Sequence, residues 1–158
     1  MRHAITAPPR RHLATFLRTW LTGLNGGTDR KMVDHLRFTQ DLIRLRWNQP
    51  ALRSDNVSAF HVHNQNRVIA YHRWLDSGSD VIVVATLSNS TWWGYSIGFP
   101  YPGRWVEVFN SDVYENWVNP MTAGNGGGID ASGPPMHGFG TSASVVIPAN
   151  GFVVFTRG

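Results

Sequence analysis

The chain contains no cysteine and a single lysine, Lys31. Without cysteine there is no disulfide framework and no thiolate chemistry, which suits a reducing compartment such as the cytoplasm, the expected location. A phosphate-binding loop wants a helix start behind it and usually a lysine. The run Gly124-Asn125-Gly126-Gly127-Gly128 has neither, and it reads as a flexible loop. Acidic residues are scarce too, with only Glu107, Asp112, Glu115 and Asp130 after Asp80. Acid–base glycosidase chemistry needs two carboxyls placed across a cleft, and Glu107, alternating with Val106 and Val108, is expected to point outward. No catalytic residue is assigned.

Long apolar runs are also missing. Leu13 to Leu24 is interrupted by Arg18, so it is neither a signal-peptide core nor a membrane span. The first 28 residues carry Arg2, Arg10, Arg11 and Arg18 and no acid, a transit-like balance. They are read instead as an N-terminal segment without a clear fold, a piece of a longer protein cut from its context. The formal charge of +4 is unevenly placed: residues 1–31 hold six basic residues against Asp29, leaving residues 32–158 slightly negative. The globular part has no basic excess with which to track a polyanion, so nucleic acid is excluded as a partner. His61 and His63 have ligand-like spacing on a strand, but no cysteine or carboxylate follows at a usual distance; they are read as solvent-facing, with no metal or cofactor implied. Ser111, Asp112 and His137 make no triad, because no nucleophile-elbow glycines surround the serine. Asn110-Ser111-Asp112 spells a turn.

What the chain does hold is bulk: seven Trp, eight Phe and four Tyr among 158 residues, enough for one domain with a real core. The run from Asp80 to Asn89 is too short for an ordinary helix and too uniformly apolar for a half-wet strand, so it reads as a central strand covered on both faces. Arg67 to Trp74 precedes it across a turn-rich link, giving an antiparallel hairpin. Further strands are expected at Val57–Val62, Trp92–Phe99, Trp105–Phe109, Ala143–Ile147 and Phe152–Thr156. With no crossover helices between them, these argue an antiparallel β-sandwich. Asn119 to Gly140, rich in glycine and proline, reads as a flexible surface loop. Pro148-Ala149-Asn150-Gly151 reads as a tight hairpin turn in which Gly151 takes a positive φ.

One helix precedes the strands, Met32 to Trp47, with Thr28 and Asp29 as caps and Pro50 as its stop. Met32, Val33, Leu36, Ile43 and Trp47 form one apolar stripe; Phe38, Leu42 and Leu45 form a second. Asp34, Arg37, Asp41, Arg44 and Asn48 make a wet arc with an i,i+4 pair between Arg37 and Asp41. Two stripes suit a helix held between two bodies. The domain division expected is therefore 1–28, a helix over 29–49, and an all-β unit over 50–158. Of the aromatic residues, Trp92, Trp93, Tyr95 and Trp117 are candidates for a glycan platform, since sugar rings stack on indoles. Trp92 and Trp93 are adjacent on a strand, so only one of them faces inward.

The residues from about Trp20 to Arg157 resemble the C-terminal end of bacterial 1,4-α-glucan (glycogen) branching enzymes of the α-amylase superfamily. The likeness runs through Met32-Val33-Asp34-His35-Leu36-Arg37-Phe38, Leu42-Ile43-Arg44-Leu45-Arg46 and Pro50-Ala51-Leu52-Arg53. It continues through Arg67-Val68-Ile69-Ala70, Gly98-Phe99-Pro100, Phe109-Asn110-Ser111-Asp112, Pro134-Pro135-Met136-His137-Gly138 and Ile147-Pro148-Ala149-Asn150. The resemblance implies that the helix is the last of a catalytic (β/α)₈ barrel absent from this chain, and that the sandwich is the non-catalytic C-terminal all-β domain. The family's catalytic acids lie upstream, so none maps here. The resemblance further implies a truncated or mis-started gene product, with the barrel as its partner, α-glucan as a possible ligand and no branching activity alone.

Overall fold

The structure, a computed structural model, describes residues 30–114 and 121–158. The N-terminal segment, the cap candidates Thr28 and Asp29, and Trp117 lie outside the described residues. Helix α1 spans Arg30–Asn48 and is followed by a 3₁₀ turn at Pro50–Arg53. Eight strands come next: β1 Val57–His63, β2 Val68–Trp74, β3 Asp80–Thr86, β4 Trp92–Phe99, β5 Gly103–Asn110, β6 Gly128–Ala131, β7 Thr141–Ile147 and β8 Phe152–Arg157. They build a six-stranded sheet in the order β1-β2-β3-β8-β5-β6 and a two-stranded sheet, β4-β7. All named pairings are antiparallel. Among the described residues the fold is mainly β with one α-helix.

The apolar run at Asp80–Thr86 is central, held between β2 and β8, with six of its seven residues buried. Its hairpin with β2 registers Trp74 opposite Asp80 and Val68 opposite Thr86. Alternation divides the strand between two cores. Ile82 and Val84 point inward to meet Ile97, Phe99, Val145 and Ile147 of the smaller sheet. Val81 and Val83 point outward to a second cluster with Phe109, Val154 and Leu45 of α1.

Three β-bulges set which side chains reach which core. In β4 the register shifts between Trp92 and Tyr95, around Gly94 at φ +78°. That extra residue puts both Trp92 and Tyr95 on the inner side and leaves Trp93 outside. In β5 the shift between Glu107 and Phe109 turns Phe109 from the inner to the outer face, where it stacks on Phe152 at 5.2 Å. In β1 the shift between Ala59 and His61 lets Phe60 pack inward while His61 lies opposite the core residue Ala70.

Several expectations need correction. The segment from Pro148 to Gly151 is not a hairpin turn, because β7 pairs with β4 while β8 pairs with β3 and β5; it is a crossover from one sheet to the other. The positive φ there belongs to Asn150 (φ 47°), not Gly151. Gly151 is required for space instead, since a Cβ would come within 2.5 Å of Ser111 Oγ and 2.9 Å of Pro148 Cγ. The long glycine-rich segment contains β6, a strand too short and too glycine-rich for its pattern to declare itself. It is also tied down: Asn125 accepts from Val146 N (2.7 Å) and donates to Val146 O (3.1 Å) and to Glu107. Glu107 consequently points toward the rim between the sheets rather than outward, and its neighbour Val106 takes the exposed side.

Candidate functional site

Helix α1 uses one of its two stripes on this chain. Leu45 is buried, and Phe38 meets Phe109, Tyr114 and Phe152 edge-on at 5.8, 5.3 and 6.2 Å. Of the other stripe, Val33 and Leu36 are half-buried, while Met32 is 43% exposed, Ile43 54% and Trp47 61%. The Arg53 guanidinium lies 5.5 Å from the Trp47 ring centre, stacked on the free side. The arc expected to be wet is not uniformly so. Asp34 is buried, and Asp41 accepts the Tyr114 hydroxyl at 2.9 Å and pairs with Arg44 at 2.8 Å. The ion pairs are i,i+3, Asp34 with Arg37 and Asp41 with Arg44, rather than Arg37 with Asp41. Burial, reinforced by the bond to the Asp41 carboxylate, pushes the Tyr114 hydroxyl well above its ordinary pKa.

The three glycan candidates among the described residues divide between the two sides of β4. Trp93 is 71% exposed. Trp92 and Tyr95 are half-buried against the inner core and meet each other edge-on at 5.7 Å. Trp117 lies outside the described residues. The bulge at Gly94 brings Tyr95 to the side of Trp92 and away from Trp93, which a strict period of two could not have shown.

His61 and His63 are likewise not free solvent-facing residues. They lie opposite Ala70 and Val68, on the inner side of the rim, and both are half-buried. His61 stacks on His137 with ring centres 4.0 Å apart, and its Nε2 is 2.9 Å from the Tyr95 hydroxyl. His63 Nδ1 accepts from Asn66 N, and His137 Nδ1 accepts from Gly98 N. Burial, with His137 and His63 nearby, lowers the His61 pKa; burial lowers that of His137. Stacked rings cannot converge on one ion, and no metal-binding group of three His, Cys, Asp or Glu occurs among the described residues.

Sequence reasoning missed a buried pair on the same inner face, His72 and Asp80, whose Nε2 and Oδ1 are 2.7 Å apart. The signal was available, because His72 continues the inward series Val68, Ala70 at a spacing of two. The residues around the Asn-Ser-Asp stretch act as ties. Asn110 Oδ1 accepts from Asp112 N, Ser111 Oγ accepts from Phe152 N, and Asp112 Oδ2 accepts from Ala123 N. They start a 3₁₀ turn at Ser111–Tyr114 and fasten it to β8 and to the glycine-rich segment.

A family model described as "Alpha amylase, C-terminal all-beta domain" matches residues 59–158, from within β1 to the end of the chain. The chain belongs to this family. Among curated proteins, this chain is 34% identical over 90 residues to a 1,4-alpha-glucan branching enzyme of Pseudomonas syringae, covering 57% of this chain and 12% of that protein. It is 35% identical over 119 residues to the corresponding enzyme of Mycolicibacterium paratuberculosis, covering 72% and 16%. To that of Xanthomonas euvesicatoria it is 36% identical over 126 residues, covering 75% and 17%. The chain thus matches under a fifth of the length of these relatives. No helix among the described residues is long and apolar enough to cross a membrane.

Proposed function

We propose that this chain is the C-terminal β domain of a 1,4-α-glucan branching enzyme, and that it covers and stabilises the enzyme's catalytic barrel while taking no chemical step itself. The observation that carries this reading is the division of labour on α1. Phe38, Leu42 and Leu45 are already spent on the sandwich, while Met32, Ile43 and Trp47 form a second apolar side that stays exposed, touched only at Trp47 by Arg53 among the described residues. Apolar surface of this kind, on a domain whose relatives are several times longer, is an interface. The acids support the reading. Glu107 and Asp112 accept main-chain N–H groups at Asn125 and Ala123, which gives both carboxylates structural work rather than a cleft between them.

The test uses the Pseudomonas syringae relative shortened by its matching segment, mixed with this chain. The two should co-elute, and branching of amylose should rise over that of the shortened enzyme alone. Trp47→Asp should abolish co-elution with the chain still folded. Branch points formed by this chain alone, seen as a shift in the iodine-stain spectrum, would overturn the non-catalytic reading. A chain that binds no hydrophobic dye and gains nothing from the shortened enzyme would overturn the docking role.

A further inference from the structure

Strands β6 and β7 lie alongside each other without pairing, and the edges they present can be read from their neighbours' bonds. On β7, Ser142 O accepts from Gly133 N at 2.9 Å, and Val146 N and O are both taken by the Asn125 side chain. Residues 142 and 146 therefore face away from β4, and the two-residue period points the main-chain N–H and C=O of Ser144 the same way. On β6, Gly127 O meets Glu107 N of β5 at 3.1 Å, so the main chain of Asp130 turns to the opposite, free edge. Two edges thus confront each other, closed at one end by Asn125 and at the other by the Gly133–Ser142 bridge.

Between them lies a cleft of ≈ 540 Å³, within the range of about 300–1,000 Å³ usual for small-ligand sites. Most of its exposed side chains are polar. Arg104 and Asp130 are cross-strand partners yet form no ion pair with each other, the guanidinium lying against Gly128 instead. The exposed serines Ser96, Ser132 and Ser144 line it as well, with Ile129, Pro134 and Ala143 as its apolar part.

We propose that this seam binds a neutral polyhydroxylated ligand, a short stretch of α-glucan. One cation and one anion give the cleft no net charge, so an ionic ligand is attracted by one and repelled by the other. An apolar ligand would strip water from two free sheet edges and return no hydrogen bonds. Vicinal hydroxyls donate and accept at once, and they match a guanidinium fork, a carboxylate and paired main-chain groups. An added peptide strand is excluded by length: the closures leave one free residue on each edge, and strands run about 3–10 residues. That the sugar is α-linked glucose rests on the function proposed above; that a neutral sugar binds does not.

The experiment is an NMR titration of the whole chain, alone, with maltoheptaose and with cellohexaose. Saturable shifts of the Asp130, Ser132 and Ser144 amides with maltoheptaose are expected. Arg104→Ala or Asp130→Ala should weaken the affinity about tenfold or more, and Ser144→Val, an outward substitution, should do the same by crowding the cleft. Trp93→Ala should leave binding unchanged. No saturable shift with either sugar overturns the proposal. Loss of binding in Trp93→Ala with Arg104→Ala and Ser144→Val unaffected overturns it too, because it moves the site to the outer aromatic residue. Preference for cellohexaose overturns the α-glucan assignment while leaving co-elution with the shortened enzyme, measured separately, as it was.

Discussion

Beneath β4 and β7, the inner face of the six-stranded sheet buries Ile82, Val84, Trp105, Val153 and Phe155 completely. The outer face of the same strands presents Val81, Val83 and Val154 to a single helix whose own far side carries exposed Ile43 and Trp47. The inner core is closed by residues from one continuous all-β unit. The outer layer is closed halfway, by edge-on rings around Phe38 and by polar contacts such as Tyr114 with Asp41. The difference separates two jobs. Apolar surface that the chain covers itself supplies its stability, and the apolar side of the helix left exposed is the one the proposed docking would use.

The contrast is sharpest in stability. Phe155→Ala, in the inner core, should cost about 3–5 kcal/mol, the usual loss for a buried aromatic ring. Phe38→Ala, on α1 and half-buried against the sandwich, should cost about 1–2 kcal/mol because part of the ring already meets water. Urea unfolding of the two variants beside the parent chain checks this, and equal losses would break the distinction between a finished and an unfinished layer.

The crossover that joins the two sheets gives the next effect. Gly151→Val should cost about 1–3 kcal/mol, since its added carbons meet Ser111 Oγ and Pro148. Asn150→Gly should change stability by no more than about 1 kcal/mol, as relief of the positive φ offsets a lost surface hydrogen bond to Asn89. If thermal unfolding instead shows Asn150→Gly to be the damaging change, backbone strain rather than crowding governs the crossover.

The rim histidines tie the inner core to pH. His61 and His137 have folded-state pKa values below their ordinary 6.5, so the unfolded chain takes up protons first on acidification. Stability from these groups is present above about pH 6.5 and is lost as pH falls toward the folded values. The melting temperature should therefore drop between pH 7.5 and pH 5.5, and His61→Gln should flatten that drop by removing one ring of the 4.0 Å stack. A parent chain whose melting point is level across that interval would show that the stack does not resist protonation.

The smallest change belongs to the open side. Trp47→Ala should alter stability by less than about 0.5 kcal/mol, as expected for an exposed position, while lowering dye binding and co-elution with the shortened relative. A large loss of stability would mean that Trp47 belongs to the chain's own core, and the two layers would no longer differ.

The strands were largely legible because their pattern is local. An apolar run between turn formers at Asp80–Thr86 and its partner Val68–Trp74 can hardly be anything but a central hairpin, and seven of the eight strands lie where alternation put them. The Gly128–Ala131 strand was not legible, since four residues led by glycine carry no period. Side-chain direction failed wherever a bulge intervened: Phe109, Tyr95 and His61 all point where a strict alternation would not send them. The cleft between β6 and β7 was invisible for the same reason, as Arg104 and Asp130 become neighbours only through register.

By itself the sequence determined every strand but Gly128–Ala131, the hairpin, the two-striped helix and the want of a basic face, because each of these depends on residue type and short-range spacing. Tertiary structure decided which stripe of α1 the chain keeps for itself, which sheet each of the last two strands joins, and that Asn150 rather than Gly151 bends backward. Those outcomes depend on what lies across a gap. Ser111 and Pro148 crowd Gly151, and Phe109 and Phe152 receive Phe38, but none of these contacts is written in the spacing of the residues that make it.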